Sequence, residues 1–241
     1  MVRFFVNAFV DLLLSPTCPI CNELLDRSNS IICPECRFSF DEIAPPICKI
    51  CGLPLYAEND DVCPSCVLHR PAVHKTRSAF LFGGGVQQAV LTMKLGRRSE
   101  LAQYLADQAS KVSIPDWSWS HQDLLVPVPL SKKRIRSRMF DQASIIALRL
   151  GQSIGVPVQL SILQRTKDTP AQASQRSRKK RRLNMKGAFE IIHPELVVGK
   201  CICLVDDVIT TGATVDECAR LILDAGAKKV SAFSLARTPM E

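Results

Sequence analysis

The sequence predicts an α/β protein in two parts, a small metal-binding module followed by a larger domain with a largely parallel sheet. Three observations carry that reading. Eight of the 11 cysteines form Cys-x-x-Cys pairs that begin at Cys18, Cys33, Cys48 and Cys63, an internal repeat of fifteen residues. From residue 78 onward, short apolar runs alternate with amphipathic stretches, as strands and helices do in βα units. The apolar run Ile202-Cys203-Leu204-Val205 leads through Asp206, Asp207 and Gly212 into an amphipathic stretch, so paired carboxylates and a Gly/Thr loop share one strand-to-helix turn. A chain of 241 residues has room for both parts.

Residues 1–17 open the chain. Phe4, Phe5, Ala8, Phe9, Leu12 and Leu13 recur at helical spacing, which predicts an amphipathic helix packed on the protein, or alternatively laid on a membrane surface or a partner. Asn7 and Asp11 interrupt the run, which is also too short to cross a bilayer, so neither a secretory leader nor a transmembrane segment is expected.

Residues 18–70 hold the repeat. Cys18, Cys21, Cys33, Cys36, Cys48, Cys51, Cys63 and Cys66 supply eight thiolates, enough for two closed tetrahedral Zn2+ sites. Asn22 and Gly52 follow the second cysteine of their pairs and tolerate the positive φ of a tight knuckle, while Pro19, Pro34 and Pro64 stiffen three loops. Short inserts make closure cheapest when neighbouring pairs share an ion, which favours a sequential over a cross-braced arrangement. All-cysteine sites leave no open position for catalysis, so their role is to fold a segment too poor in apolar side chains to build a core. Disulfides are the competing reading, but nothing else looks secreted, and the expected compartment is the cytoplasm.

Residues 76–241 form the second domain. Strands are expected at 78–82, 124–128, 156–163, 201–205 and 230–235, and helices at 86–95, 100–111, 141–154 and 215–225. Between them, 131–139 and 164–186 read as basic loops. The 129–138 and 206–214 loops both leave the C-terminal ends of strands, the edge where α/β domains bind ligands.

The 206–214 loop has the chemistry of a phosphosugar site. Gly212 lets successive N–H groups turn inward, Thr210, Thr211 and Thr214 add hydroxyls, and the following helix contributes its positive end. Asp206 and Asp207 would repel a phosphate but can accept hydrogen bonds from sugar hydroxyls. Charge is concentrated elsewhere: the segments 132–138 and 165–186 carry 14 of the 31 basic residues and one of the 23 acidic ones. The net charge of +8 thus resides in two segments, which suits a polyanion site. Trp117 and Trp119 lie in a polar linker, where stacking on bases competes with packing over the domain edge.

These residues resemble known families. The stretch from Asp206 to Thr214 is similar to the 5-phosphoribosyl pyrophosphate (PRPP) motif of type I phosphoribosyltransferases. That resemblance implies ribose hydroxyls on Asp206 and Asp207, which would also be the catalytic residues, and the 5′-phosphate on Thr210 to Thr214. Val208 and Ala213 complete the PRPP-binding set. Val126-Pro127-Val128-Pro129 resembles the pyrophosphate loop of the amidotransferase branch.

The whole chain resembles the ComF (ComFC) competence family, a double zinc ribbon followed by a type I phosphoribosyltransferase-like domain. Pro127-Val128-Pro129, the basic run from Lys132, Phe140-Asp141-Gln142 and Met93-Lys94-Leu95-Gly96 follow its order, with Asp141 in place of Asn and Leu95 in place of Tyr. The resemblance implies binding of PRPP with Mg2+ and handling of single-stranded DNA during natural transformation. Lys132, Lys133, Arg134, Arg136, Arg138, Arg176, Arg178, Lys179, Lys180, Arg181 and Arg182 are the candidate contacts to nucleic acid or pyrophosphate. An active phosphoribosyltransferase is the alternative, and a further reading makes the ribbons an adaptor for a DNA translocase or helicase of the uptake machinery.

Overall fold

A computed structural model describes residues 16–25, 31–56, 61–167 and 185–239. The helix expected within 1–17 and the basic run 176–182 lie outside these residues. In chain order the elements are α1 (Pro34–Phe38), α2 (Pro64–Leu68), β1 (Thr76–Leu81), α3 (Gly84–Leu95), α4 (Ser99–Lys111), β2 (Leu124–Pro127) and α5 (Lys132–Arg138). They continue with α6 (Gln142–Ile154), β3 (Leu163–Arg165), β4 (Phe189–Ile191), β5 (Cys201–Ile209), α7 (Ala213–Asp224) and β6 (Lys229–Arg237).

The central sheet has the order β1-β6-β5-β2 and every pair in it is parallel. Its strands are buried on both faces, which is why they read as continuous apolar runs. On one face Phe80, Cys203, Val205 and Phe233 join Met93 of α3, Leu105 of α4 and Leu150 of α6 in one core. On the other face Ile202, Leu204 and Val230 pack with Val215, Ala219 and Ile222 of α7. Trp119 meets the Phe233 ring edge-on at 4.8 Å and Trp117 at 5.3 Å, so both indoles are part of this packing.

Three expectations need correction. The strand expected over 156–163 is divided: Val158 makes one parallel bridge to Leu125, and the chain then turns so that β3 pairs antiparallel with β4. Val158 packs against the first core and Ile162 enters the second, so a single straight strand could not bury both. The segment read as the basic loop 131–139 is largely helix α5. Ser131 Oγ accepts the Arg134 N–H at 3.4 Å, and Met139 closes the helix in the left-handed region at φ 70°. Finally, β5 runs four residues past the expected Val205, because its pairing with β6 persists to Ile209 opposite Arg237.

The cysteine module is joined to the sheet rather than tethered beside it. β1 is an edge strand, and residues 41–43 cover its free side: Ile43 N–H donates to the Ala79 carbonyl at 3.0 Å and Leu81 N–H to Asp41 at 2.8 Å. Arg77, 1% exposed, donates from Nη1 to the carbonyls of Thr76 (2.7 Å) and Cys48 (3.4 Å), from Nη2 to Lys49 (3.2 Å) and from Nε to Pro115 (3.1 Å). Gly52 lies so close to β1 that a Cβ would stand 2.7 Å from the Thr76 carbonyl. On the first knuckle, Cys33, Cys36 and Phe40 belong to the same core as Phe80 and Met93. Arg37 Nε donates to Gln108 of α4 at 2.7 Å.

Shared packing predicts shared unfolding. Chelating the metal should lower the thermal midpoint of the whole chain in a single calorimetric transition, and an unmoved upper transition would contradict this. Arg77→Met should destabilise the chain by about 3 kcal/mol, because it strands several buried carbonyls at once; denaturant titration reads the change.

Candidate functional site

The two cysteine clusters are sequential. The sulfurs of Cys18, Cys21, Cys33 and Cys36 all lie within 4.8 Å of one another, and so do those of Cys48, Cys51, Cys63 and Cys66. Short loops and positive φ at Asn22 (63°) and Gly52 (67°) bring each pair round to its neighbour. Four thiols this close cannot all ionise without a cation: hydrogen bonds from Cys51 and Cys66 hold Cys48 far below the usual thiol range, while Cys48 and Cys51 push Cys66 far above it. Two closed four-cysteine sets of this kind are structural zinc sites.

The second centre lies at the C-terminal edge of the sheet. Asp206 and Asp207 sit within β5, with Asp206 paired opposite Ser234. Asp207 is buried, and each of its oxygens accepts a hydrogen bond. Its Oδ1 accepts from Lys94 Nζ at 2.9 Å and its Oδ2 from Gln142 Nε2 at 2.7 Å. Burial alone would raise this carboxyl, but Lys94, Gln142 and Arg138 outweigh it and hold Asp207 below the ordinary carboxylate range. Asp206 is half-buried, and its Oδ1 accepts the Asp207 N–H at 2.8 Å. Burial and then the Asp207 charge push its carboxyl up to about 7.

After half-buried Val208, the chain turns through Thr210, Thr211 and Gly212. Gly212 adopts φ 77° as the residue preceding α7, a conformation that glycine adopts without strain. Thr211 Oγ1 accepts the Ala213 N–H at 3.4 Å, and the N-terminal end of α7 points into the turn. Thr214 Oγ1 donates to Met185 Sδ at 3.6 Å, which brings the residues after the 168–184 segment alongside.

The described basic residues divide along α5. Lys132 and Lys133 at its start join Ser131, Gln164, Arg165, Thr166 and Lys167 around a cleft of about 290 Å³. Arg138 at its end lies near Asp207, Asp206 and Asp141; burial lowers its guanidinium while those carboxylates act in the opposite sense. Arg134 is half-buried and Arg136 is exposed. Arg176, Arg178, Lys179, Lys180, Arg181 and Arg182 lie outside the described residues. Reading residues singly undervalued Lys94, Gln142, Arg165 and Lys167, which become site residues only when distant segments meet. For Lys94 and Gln142 the signal was the order of the motifs Met93-Lys94-Leu95-Gly96 and Phe140-Asp141-Gln142.

Comparison with known proteins matches this arrangement. The double zinc ribbon domain family matches residues 9–67 and the phosphoribosyl transferase domain family residues 138–240. The chain is 33% identical over 156 residues to the DNA utilization protein YhgH of Escherichia coli, covering 61% of this chain and 64% of that protein. It is 32% identical over 131 residues to competence protein F of Haemophilus influenzae, covering 52% and 57%. With competence protein ComFC of Streptococcus pneumoniae it shares 33% identity over 112 residues, covering 46% and 47%. The chain therefore spans less than two thirds of the length of each of these relatives. Two four-cysteine clusters packed on a parallel sheet accompany these matches, so the chain joins a double zinc ribbon to a phosphoribosyltransferase-like domain and is similar in part to competence and DNA utilization proteins.

Proposed function

We propose that this chain binds PRPP with Mg2+ at the β5–α7 turn and handles incoming single-stranded DNA in the cytoplasm during natural transformation. The observation that carries the reading is the meeting, at one sheet edge, of the Asp206–Asp207 end of β5, the left-handed Gly212 turn and the basic helix α5. The turn and the first residues of α7, with Thr210, Thr211 and Thr214, hold the 5′-phosphate. The carboxylate end of β5 takes the ribose hydroxyls. Lys132, Lys133, Arg165 and Lys167 meet the diphosphate, whose bound Mg2+ neutralises part of its charge.

The remaining cations exceed the needs of one PRPP molecule. Arg136 and the six basic residues from Arg176 to Arg182 track a phosphodiester backbone. Competence proteins among the relatives support the biological setting, and a DNA translocase or helicase of the uptake machinery is the partner this role implies. The basic cleft also favours a second reading, an active phosphoribosyltransferase that releases pyrophosphate there. Acceptor-dependent pyrophosphate release across a panel of nucleobases would establish turnover, and release that survives Asp206→Asn would count against this site.

PRPP affinity should be pH-dependent. An ionised Asp206 accepts a hydroxyl more strongly than a protonated one, so affinity should rise as pH increases through about 7 and level off above it. Stability runs the other way: a carboxyl raised in the folded state favours folding below its ordinary range, and that contribution is lost as pH rises through about 7. Calorimetric titration at several pH values checks the first trend, and a flat profile in the unaltered chain would remove Asp206 from the site.

Single-stranded DNA affinity should fall steeply with salt. Replacing Arg178, Lys179, Lys180, Arg181 and Arg182 together by Ala should flatten the log–log slope by up to roughly 3.5. An unchanged slope in fluorescence anisotropy would sink the DNA assignment of that segment.

A further inference from the structure

The end of the sheet away from Asp206 carries charge that the fold does not neutralise. Lys75 and Lys200 immediately precede β1 and β5, and Lys229 is the first residue of β6 between them. All three lysines are half-buried, yet none makes an ion pair among the described residues. Lys75 Nζ donates instead to the Asp116 carbonyl at 2.9 Å. Burial and then Arg77 lower the Lys75 ammonium, against the pull of the Asp116 carboxylate. Exposed Arg70 and His74 enlarge the cluster, and burial followed by Lys229, Lys75 and Arg70 holds the His74 imidazole below its usual range. Cations gathered this way, partly out of water, form a positive surface suited to a polyanion.

The 116–123 segment crosses the same end of the sheet. Asp116 meets Lys75 ahead of β1, and Asp123 Oδ2 accepts the Cys201 N–H of β5 at 2.7 Å. Between them lie Trp117 and Trp119, packed on Phe233 and each still half-exposed. Lys75 shares a face of β1 with Arg77, Lys229 shares a face of β6 with Phe233, and Arg77 lies opposite Phe233, so both lysines stand on the face that the indoles cover. Trp117 Nε1 is buried with no hydrogen-bond partner among the described residues, although a buried indole N–H usually finds one. Packing alone gives no reason for an indole at this position.

We propose that this end of the sheet is a second contact surface for single-stranded nucleic acid, where Lys75 and Lys229 meet phosphates and the exposed part of the Trp117–Trp119 pair stacks on an unpaired base. The inference rests on the single-stranded DNA reading and gives the strand a contact at the opposite end of the sheet from the β5–α7 turn. Stacking beside cations, with no hydrogen bonds to base edges, tolerates any sequence.

The chain has two tryptophans and both lie here, so their emission reports this surface alone. Titrating the full chain with oligothymidylate should quench that emission in step with binding followed by the anisotropy of a labelled strand. An abasic strand of equal length should bind through its charge and leave the emission unchanged. Trp119→Leu should weaken oligothymidylate binding roughly tenfold, the worth of one stacked base, and leave the abasic strand unaffected. Lys75→Gln combined with Lys229→Gln spares the aromatic packing and should flatten the log–log salt slope by roughly 1.4. Binding that leaves the emission unchanged, quenching by the abasic strand to the same extent, or a salt slope that the lysine changes do not move would overturn this surface and leave the DNA reading standing. A chain that binds neither strand would overturn both.

Discussion

The free edge of β1 is the constraint around which this molecule is organised. A buried parallel strand at the margin of a sheet exposes a row of unpaired backbone groups, and water cannot reach them once the core has closed. Here the residues between the two zinc knuckles cover the edge, and Arg77 draws carbonyls of the second knuckle, of β1 and of the 112–118 linker onto one guanidinium. The covering segment has too little apolar surface to fold on its own. It holds its shape because eight cysteines fix it at two points. Zinc binding and sheet formation are therefore parts of one folding event, and the module acts as a wall of the larger domain.

A second constraint follows from where the carboxylates sit. Placing two acidic residues inside a strand, where Asp207 is buried, is unfavourable unless the charge is matched. Lys94, Gln142 and Arg138 supply that match, and each arrives from a different helix. Burial and then the Asp207 charge push the neighbouring Asp206 carboxyl up to about 7.

Much of this was legible in the sequence where local chemistry dictates geometry. Cys-x-x-Cys spacing and short inserts were enough to choose the sequential zinc pairs, and the Gly212 turn followed from the need for a positive φ between β5 and α7. What could not be read depended on partners far away in the chain. The length of β5 is set by β6, so Asp206 and Asp207 were expected in a loop and lie in a strand. The run at α5 lacks apolar periodicity, and its helicity comes from the Ser131 cap and from straight-chain Lys and Arg, both good helix formers. Arg77 reads as one polar residue in an apolar strand, and nothing local reveals that it faces the knuckle. The buried groups nearest the site, Lys94 and Gln142, carry no signal of their own beyond the order of motifs around them.

The path from the first zinc knuckle to the carboxylates is short and consists of one helix. α3 begins against the knuckle, where a Cβ on Gly85 would collide with Ser39 Oγ and stand 2.9 Å from the Cys36 carbonyl. Its 12 residues span about 18 Å, and its last turn delivers Lys94 to Asp207. The register of that helix is fixed at one end by close contact with a metal-held loop and at the other by a buried ion pair. A ribbon that served only as a detachable adaptor would need neither contact. The packing instead seats the first turn of α3 on the knuckle, so any partner that engages the outer side of the knuckles does so on a surface whose inner side abuts the helix that carries Lys94 to Asp207.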